Sequence, residues 1–199
     1  MNNETIRPLV LRAMMDLKPA TRSVADLKAY LIAYQPDPKH TDDGYAWLTC
    51  ALALQGVAAG NFGVGAALVD DEGNRILAQG HNQIFNPRFR SDRHAEMVVM
   101  DRWENSDSEP VGGTLYTSVE PCPMCLVRLS SSAVRRVFYV APDLSGGMVR
   151  RLDALPTFWT TMAQGKVFGQ ARCSTDLIRA ANDILLLNLE ELTERLKAR

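Results

Sequence analysis

Two short motifs, His94-Ala95-Glu96 and Pro121-Cys122-Pro123-Met124-Cys125, constrain this chain more tightly than any other feature. They hold an imidazole, two thiols and a carboxylate, which act together only if two separate stretches of chain end at one point. One His and two Cys make a three-ligand protein site. That leaves zinc's fourth tetrahedral position for water, as in catalytic rather than closed structural sites. Zinc brings the pKa of its water toward neutrality, and a carboxylate nearby can then carry protons. Glu96, two positions from His94, is free for that work. The pattern points to hydrolysis at an electrophilic carbon.

Both motifs fall where a strand or loop hands over to a helix. Residues 114–119, introduced by Gly112-Gly113, read as a strand, and Pro121 is expected to open a helix reaching about Ser132. Cys122 and Cys125, three apart on its first turn, then present both sulfurs to one metal, and the positive helix end favours thiolates. The turn-rich loop 86–93 precedes a helix over 94–103, with Ser91 or Asp92 as its cap. An earlier helix runs from a Thr41 or Asp42 cap to Gly60, and residues 62–69 and 75–79 form a hairpin around 71–74. A strand over 135–140 follows. Beyond Pro142, residues 148–155 and 158–163 are candidate helices, 166–171 a fifth strand, and 176–197 one long closing helix.

This order predicts an α/β fold, a three-layer α/β/α sandwich on a mixed five-stranded sheet. Its ligand site is expected beyond the carboxyl ends of the strands. Residues 1–40 read as an N-terminal helical extension, with helices over 6–17 and 24–34, and residues 41–199 as the zinc-dependent domain.

Apolar residues at 46% and charged residues at 23% are those of an ordinary soluble globular protein. A formal net charge of -1 supplies no general attraction for a polyphosphate, so nucleic acid is possible as a partner but not favoured. Arg88, Arg90, Arg93, Arg135, Arg136, Arg150 and Arg151 are candidates for a local phosphate track, against the simpler reading that they pair with acids. Leu185-Leu186-Leu187 is bracketed too closely by Asp183 and Glu190 to span a membrane. With no export signal recognised, Cys50, Cys122, Cys125 and Cys173 are expected to be reduced and the protein cytoplasmic. The structural alternative is a closed zinc site completed by His81, His40, Cys50 or Cys173.

Together with residues 62–69, Asn82, 117–125 and 137–139, the two motifs make residues 44–140 resemble the cytidine deaminase superfamily. The likeness is to the branch of guanine, cytosine and tRNA adenosine deaminases. It implies that His94, Cys122 and Cys125 bind one Zn2+ with a catalytic water and that Glu96 is the general acid/base. It also implies substrate contacts from Asn82, Phe62, Ala95 and Pro121, and a homodimer or higher assembly. Phe158 and Trp159 are an aromatic pair able to close over a planar ring, against a role in the core. The first expectation is a nucleobase, nucleoside or related amino-substituted heterocycle as substrate, with release of ammonia. One alternative is adenosine deamination in tRNA. Another, of a different class, is a non-catalytic zinc-binding interaction domain.

Overall fold

The computed structural model describes residues 22–71, 75–106 and 112–199. The helix expected over 6–17 lies outside them, as does part of the 71–74 turn. The chain runs α1 (Val24–Ala33), α2 (Asp43–Ala58), β1 (Gly65–Asp70), β2 (Ile76–His81), α3 (Ala95–Glu104), β3 (Gly113–Val119), α4 (Pro123–Ser130) and β4 (Val134–Ala141). A 3-10 helix (Val149–Ala154), α5 (Thr157–Met162), β5 (Val167–Gln170), α6 (Thr175–Leu186) and α7 (Leu189–Lys197) complete it.

The five strands lie in the order β2-β1-β3-β4-β5. β1 is antiparallel to both β2 and β3, whereas β3, β4 and β5 run parallel. A mixed sheet follows directly from the chain path, because the hairpin joins β1 to β2 while helical crossovers separate the later strands. β3 is central and buried along its whole length. The edge strands β2 and β5 expose residues along theirs.

Each sheet face carries its own apolar cluster. On one, Ala46, Cys50 and Ala53 of α2 and Leu177, Ala180, Ala181 and Ile184 of α6 pack on Val140 and Ala141 of β4. Leu27 and Leu31 of α1 join them, and burying two leucines contributes about 2 kcal/mol each. The Trp47 indole donates to the Leu31 carbonyl at 2.8 Å, which seats α1 on α2. On the other face Ala95, Val99, Met100 and Trp103 of α3 and Leu129 of α4 cover Ala66, Leu68, Leu115 and Val137. The three-layer sandwich is therefore present. α2 approaches β1 so closely that a Cβ on Gly65 would meet the Thr49 carbonyl.

Several boundaries differ from expectation. Asp42 occupies the N-cap position of α2 but makes no capping bond, because its carboxylate instead accepts from the Arg172 backbone at 2.7 Å and the Tyr116 hydroxyl at 3.0 Å. His94, not Ser91 or Asp92, caps α3. α4 begins at Pro123 with Cys122 as its N-cap, so Pro121 stands outside the helix. The long closing helix is two helices, broken at Leu187 and Asn188. Asn188 donates to the Asn61 carbonyl at 2.8 Å, and the redirected α7 sends Leu192 into a third cluster with Phe62, Ile84 and Phe85. Among the described residues no helix is long and apolar enough to cross a membrane.

Candidate active site

His94 and Cys122 occupy equivalent places. Each is the extended residue immediately before a helix, at φ -66° ψ 159° and φ -71° ψ 170°. Pro123 favours this at Cys122, since a residue before proline is disfavoured in the helical region. Cys125 lies in the first turn of α4 and is buried. The two helices start side by side at the end of β3, and the donor atoms of His94, Cys122 and Cys125 all lie within 4.8 Å of one another.

The spacing fits zinc closely. Tetrahedral bonds of about 2.3 Å to sulfur and about 2.0 Å to nitrogen require roughly 3.8 Å between two sulfurs and roughly 3.5 Å between sulfur and nitrogen. The Cys122 and Cys125 sulfurs are 3.7 Å apart, and Cys122 Sγ lies 3.5 Å from His94 Nδ1. None of His81, His40, Cys50 and Cys173 joins this set among the described residues. His81 Nδ1 faces the Asn82 carbonyl at 2.8 Å, and Cys50 sits in the α2 core against the Leu177 carbonyl. The three-ligand arrangement thus has no fourth protein donor among them.

Local electrostatics support thiolate ligation. The hydrogen bond between the two sulfurs holds Cys122 down at about 4 against the opposing effect of burial, with His94 adding to the depression. Contact with Cys122 and burial push Cys125 well up, a penalty that a cation between the sulfurs removes. Burial works to lower His94, but its bond to Cys122 and the neighbouring negative groups raise it overall.

Glu96, 3% exposed, lies in the first turn of α3. Its carboxylate oxygens stand 3.5 Å from Cys125 Sγ and 3.5 Å from Thr117 Oγ1. Burial raises its pKa, and the negative charge of Cys122 raises it further. A carboxylate with so few donors has a high proton affinity, as acid/base work requires.

The remaining candidates divide. Asn82 is buried and its Oδ1 accepts from Ile84 N at 3.1 Å. The next residue, Gln83, donates to the Arg93 carbonyl at 2.8 Å, which ties the Asn82 loop to the stretch leading into His94. Phe62 is 9% exposed and packed against Phe85, at 5.9 Å between ring centroids. Ala95 is fully buried in the α3 core, and the carbonyl of buried Pro121 accepts from Met148 N at 2.9 Å. Phe158 and Trp159 meet edge to face, and Phe158 is 64% exposed, so it is no core residue.

Most of the arginine track is already paired. Arg90 bridges Asp92, Arg93 bridges Asp101, Arg135 and Arg136 bridge Asp71, and Arg150 bridges Glu120. Arg151 donates to the Gly147 and Ser145 carbonyls. Sequence reasoning gave no site role to Thr117 and did not pair Glu120 with Arg150. An acid directly before the Pro-Cys motif and a Gly146-Gly147 pair after it were the available signals.

Residues 40–141 match the family described as the cytidine and deoxycytidylate deaminase zinc-binding region. A tRNA-specific adenosine deaminase of Bacillus subtilis is 37% identical over 95 residues, covering 44% of this chain and 54% of that protein. One from Haemophilus influenzae is 32% identical over 102 residues, 49% of this chain and 57% of that protein. The chain thus spans a little over half the length of these curated relatives. Among solved structures, a tRNA:A34 deaminase superposes with a TM-score of 0.57 at 28% identity, over 69% of this chain and 96% of that one. NE0047 in complex with 2,6-diaminopurine shares the fold, with a TM-score of 0.52 at 23% identity over 74% of this chain and 79% of its own.

Proposed function

The chain belongs to the cytidine and deoxycytidylate deaminase zinc-binding family, and on that premise we propose that it is a hydrolytic deaminase of an amino-substituted nucleobase or nucleoside. The observation that carries this reading is the under-satisfied Glu96 carboxylate 3.5 Å from one sulfur of a three-donor zinc site. His94, Cys122 and Cys125 would hold the metal. When bound, zinc supplies the Lewis acidity that makes water nucleophilic near neutral pH.

Glu96 moves the protons. Its carboxylate accepts one from the attacking water and delivers it to a ring nitrogen, so that the amidine carbon accepts oxygen without building up charge. Glu96 then takes the proton of the newly added hydroxyl and gives it to the exocyclic amine, so that the C–N bond breaks, the carbonyl forms and ammonia leaves. Water is consumed, one C–O bond replaces one C–N bond, and Glu96 ends in its starting state. Thr117, buried beside Glu96, holds its hydroxyl 3.5 Å from one carboxylate oxygen. Asn82, with one amide oxygen committed to Ile84, offers its amide nitrogen to a ring carbonyl or nitrogen.

A free base or nucleoside is the first substrate class, because most arginines that would track a phosphate backbone are bound to acids. The second reading, adenosine in tRNA, is favoured by the names of the relatives. Ammonia release from a panel of bases and nucleosides, run beside an inosine assay on tRNA, separates them. Turnover of tRNA alone would replace the first reading with the second, and zinc-loaded protein inactive on both would defeat the deaminase reading. A homodimer or higher assembly accompanies this proposal, with the exposed apolar Met124 beside the zinc loop as its candidate contact. Analytical ultracentrifugation of wild type and Met124→Glu tests it.

A further inference from the structure

Glu120 stands between β3 and the cysteine motif, and the chemistry above does not use it. Its side chain is 0% exposed, yet its oxygens are saturated. Asp143 N donates to Oε2 at 3.2 Å, Arg150 N to Oε1 at 3.0 Å, and Arg150 Nε to Oε2 at 2.7 Å. Arg150 Nη2 reaches back to the Asp143 carbonyl at 2.7 Å. The segment 143–151 is thereby folded around one carboxylate. It closes so tightly that a Cβ on Gly147 would stand 2.5 Å from Glu120 Cδ.

The same segment touches the metal loop directly. Met148 N donates to the Pro121 carbonyl at 2.9 Å, one residue before Cys122, and Glu120 N is held by the Ala141 carbonyl at 2.8 Å. Residues 120 and 121 are therefore clamped by β4 and by the segment that follows it. What these bonds fix is the backbone that delivers Cys122 as an extended N-cap, and hence the 3.7 Å and 3.5 Å separations of its sulfur from Cys125 and His94. An exposed ion pair could be lost at little cost. A buried carboxylate with three donors cannot, because its removal leaves each donor without an acceptor.

We propose that Glu120 is a positioning residue for the zinc centre, holding the Cys122 loop and the 143–151 segment in register, with Arg150 as its partner. It is not one of the three metal donors. Outer groups that orient ligands typically change metal affinity or activity about 10–100-fold when replaced. The proposal rests on the zinc-deaminase reading only for its kinetic arm.

The test uses zinc-loaded protein and two variants. Glu120→Gln keeps the volume but sets an N–H among three donors, and Arg150→Lys keeps the charge at a partly exposed position but removes Nε. The first readout is the rate of zinc release to a chromogenic chelator, which needs no substrate. Glu120→Gln is expected to speed release about 10–100-fold and Arg150→Lys about threefold or more, with KM rising in both. A merely structural acid would lower Tm and leave both readouts alone. Any folded variant of the two that releases zinc within about twofold of wild type overturns the proposal, whatever its Tm. If no substrate is turned over, the deaminase reading fails while the zinc-release result still stands.

Discussion

Two buried acids, one on each face of the sheet, occupy the same local position and have opposite proton affinities. Asp43 is in the first turn of α2 and 1% exposed, and Glu96 is in the first turn of α3 and 3% exposed. Burial works to raise Asp43, but Tyr34 Oη, Asp37 N and Ser174 N donate to it at 2.5, 2.8 and 2.8 Å and bring it below the usual range. Glu96 has burial and the Cys122 charge raising it, with its side-chain donors at 3.5 Å. A helix N-terminus favours both anions, so the dipole cannot explain the difference. What differs is the balance: close donors outweigh burial at Asp43, whereas burial and the Cys122 charge outweigh more distant donors at Glu96. A saturated carboxylate is a fastening, here joining α1, the 34–43 connection and the start of α6, whereas an under-satisfied one keeps its capacity to exchange a proton.

The comparison breaks first at Glu96. Glu96→Gln is expected to retain zinc, measured as metal content of the purified protein, while ammonia release falls by about 10³–10⁴-fold. Turnover within tenfold of wild type would remove Glu96 from the reaction. Asp43→Ala should behave in the reverse sense, costing about 3 kcal/mol in urea unfolding because three donors lose their acceptor, with zinc content and KM unchanged. A change in zinc content would show that the two faces are not independent.

A subtler variant is Asp43→Asn. Because the folded pKa of Asp43 lies below its unfolded value, its stabilisation is present above the unfolded value and is lost as pH falls through the folded one. Wild type should therefore exceed Asp43→Asn in unfolding free energy at pH 6, with the gap closing below about pH 4. A gap that stays constant from pH 6 to pH 3 would mean that the charge is not what the donors recognise. The smallest effect belongs to Asp92, which pairs with Arg90 with both side chains nearly half exposed. Asp92→Asn should change stability by less than about 0.5 kcal/mol, read from the same urea curves.

Much of the framework was legible in the residues. The alternation of strand and helix signals located all five strands of the sheet, and the motif pair located the metal donors at two helix starts. Where expectation slipped, the cause was local competition. Both Pro121 and Pro123 could open a helix, but a residue preceding proline is disfavoured in helical backbone, and Cys122 is accordingly the extended N-cap with Pro123 the first helical residue. The expectation at Pro121 rests on the general preference for proline at a helix start, which Pro123 satisfies equally. Asp42 offered a capping side chain that two more distant groups, Arg172 N and Tyr116 Oη, engage instead. Nothing near position 188 announces a break strongly. It exists because Asn61 accepts the Asn188 amide and a pocket among Phe62, Ile84 and Phe85 accepts Leu192.

By itself the sequence determined which atoms can bind zinc and which acid can accompany them, because ligand type and basicity are properties of side chains and helix starts are set by neighbours in the chain. Only the tertiary structure decided which carboxylates are saturated and which is left able to exchange a proton. It also decided which arginines are spent on acids and how the 143–151 segment closes on the cysteine loop. Those outcomes depend on donors that lie far apart along the chain and meet only when the sheet and its two helical layers assemble.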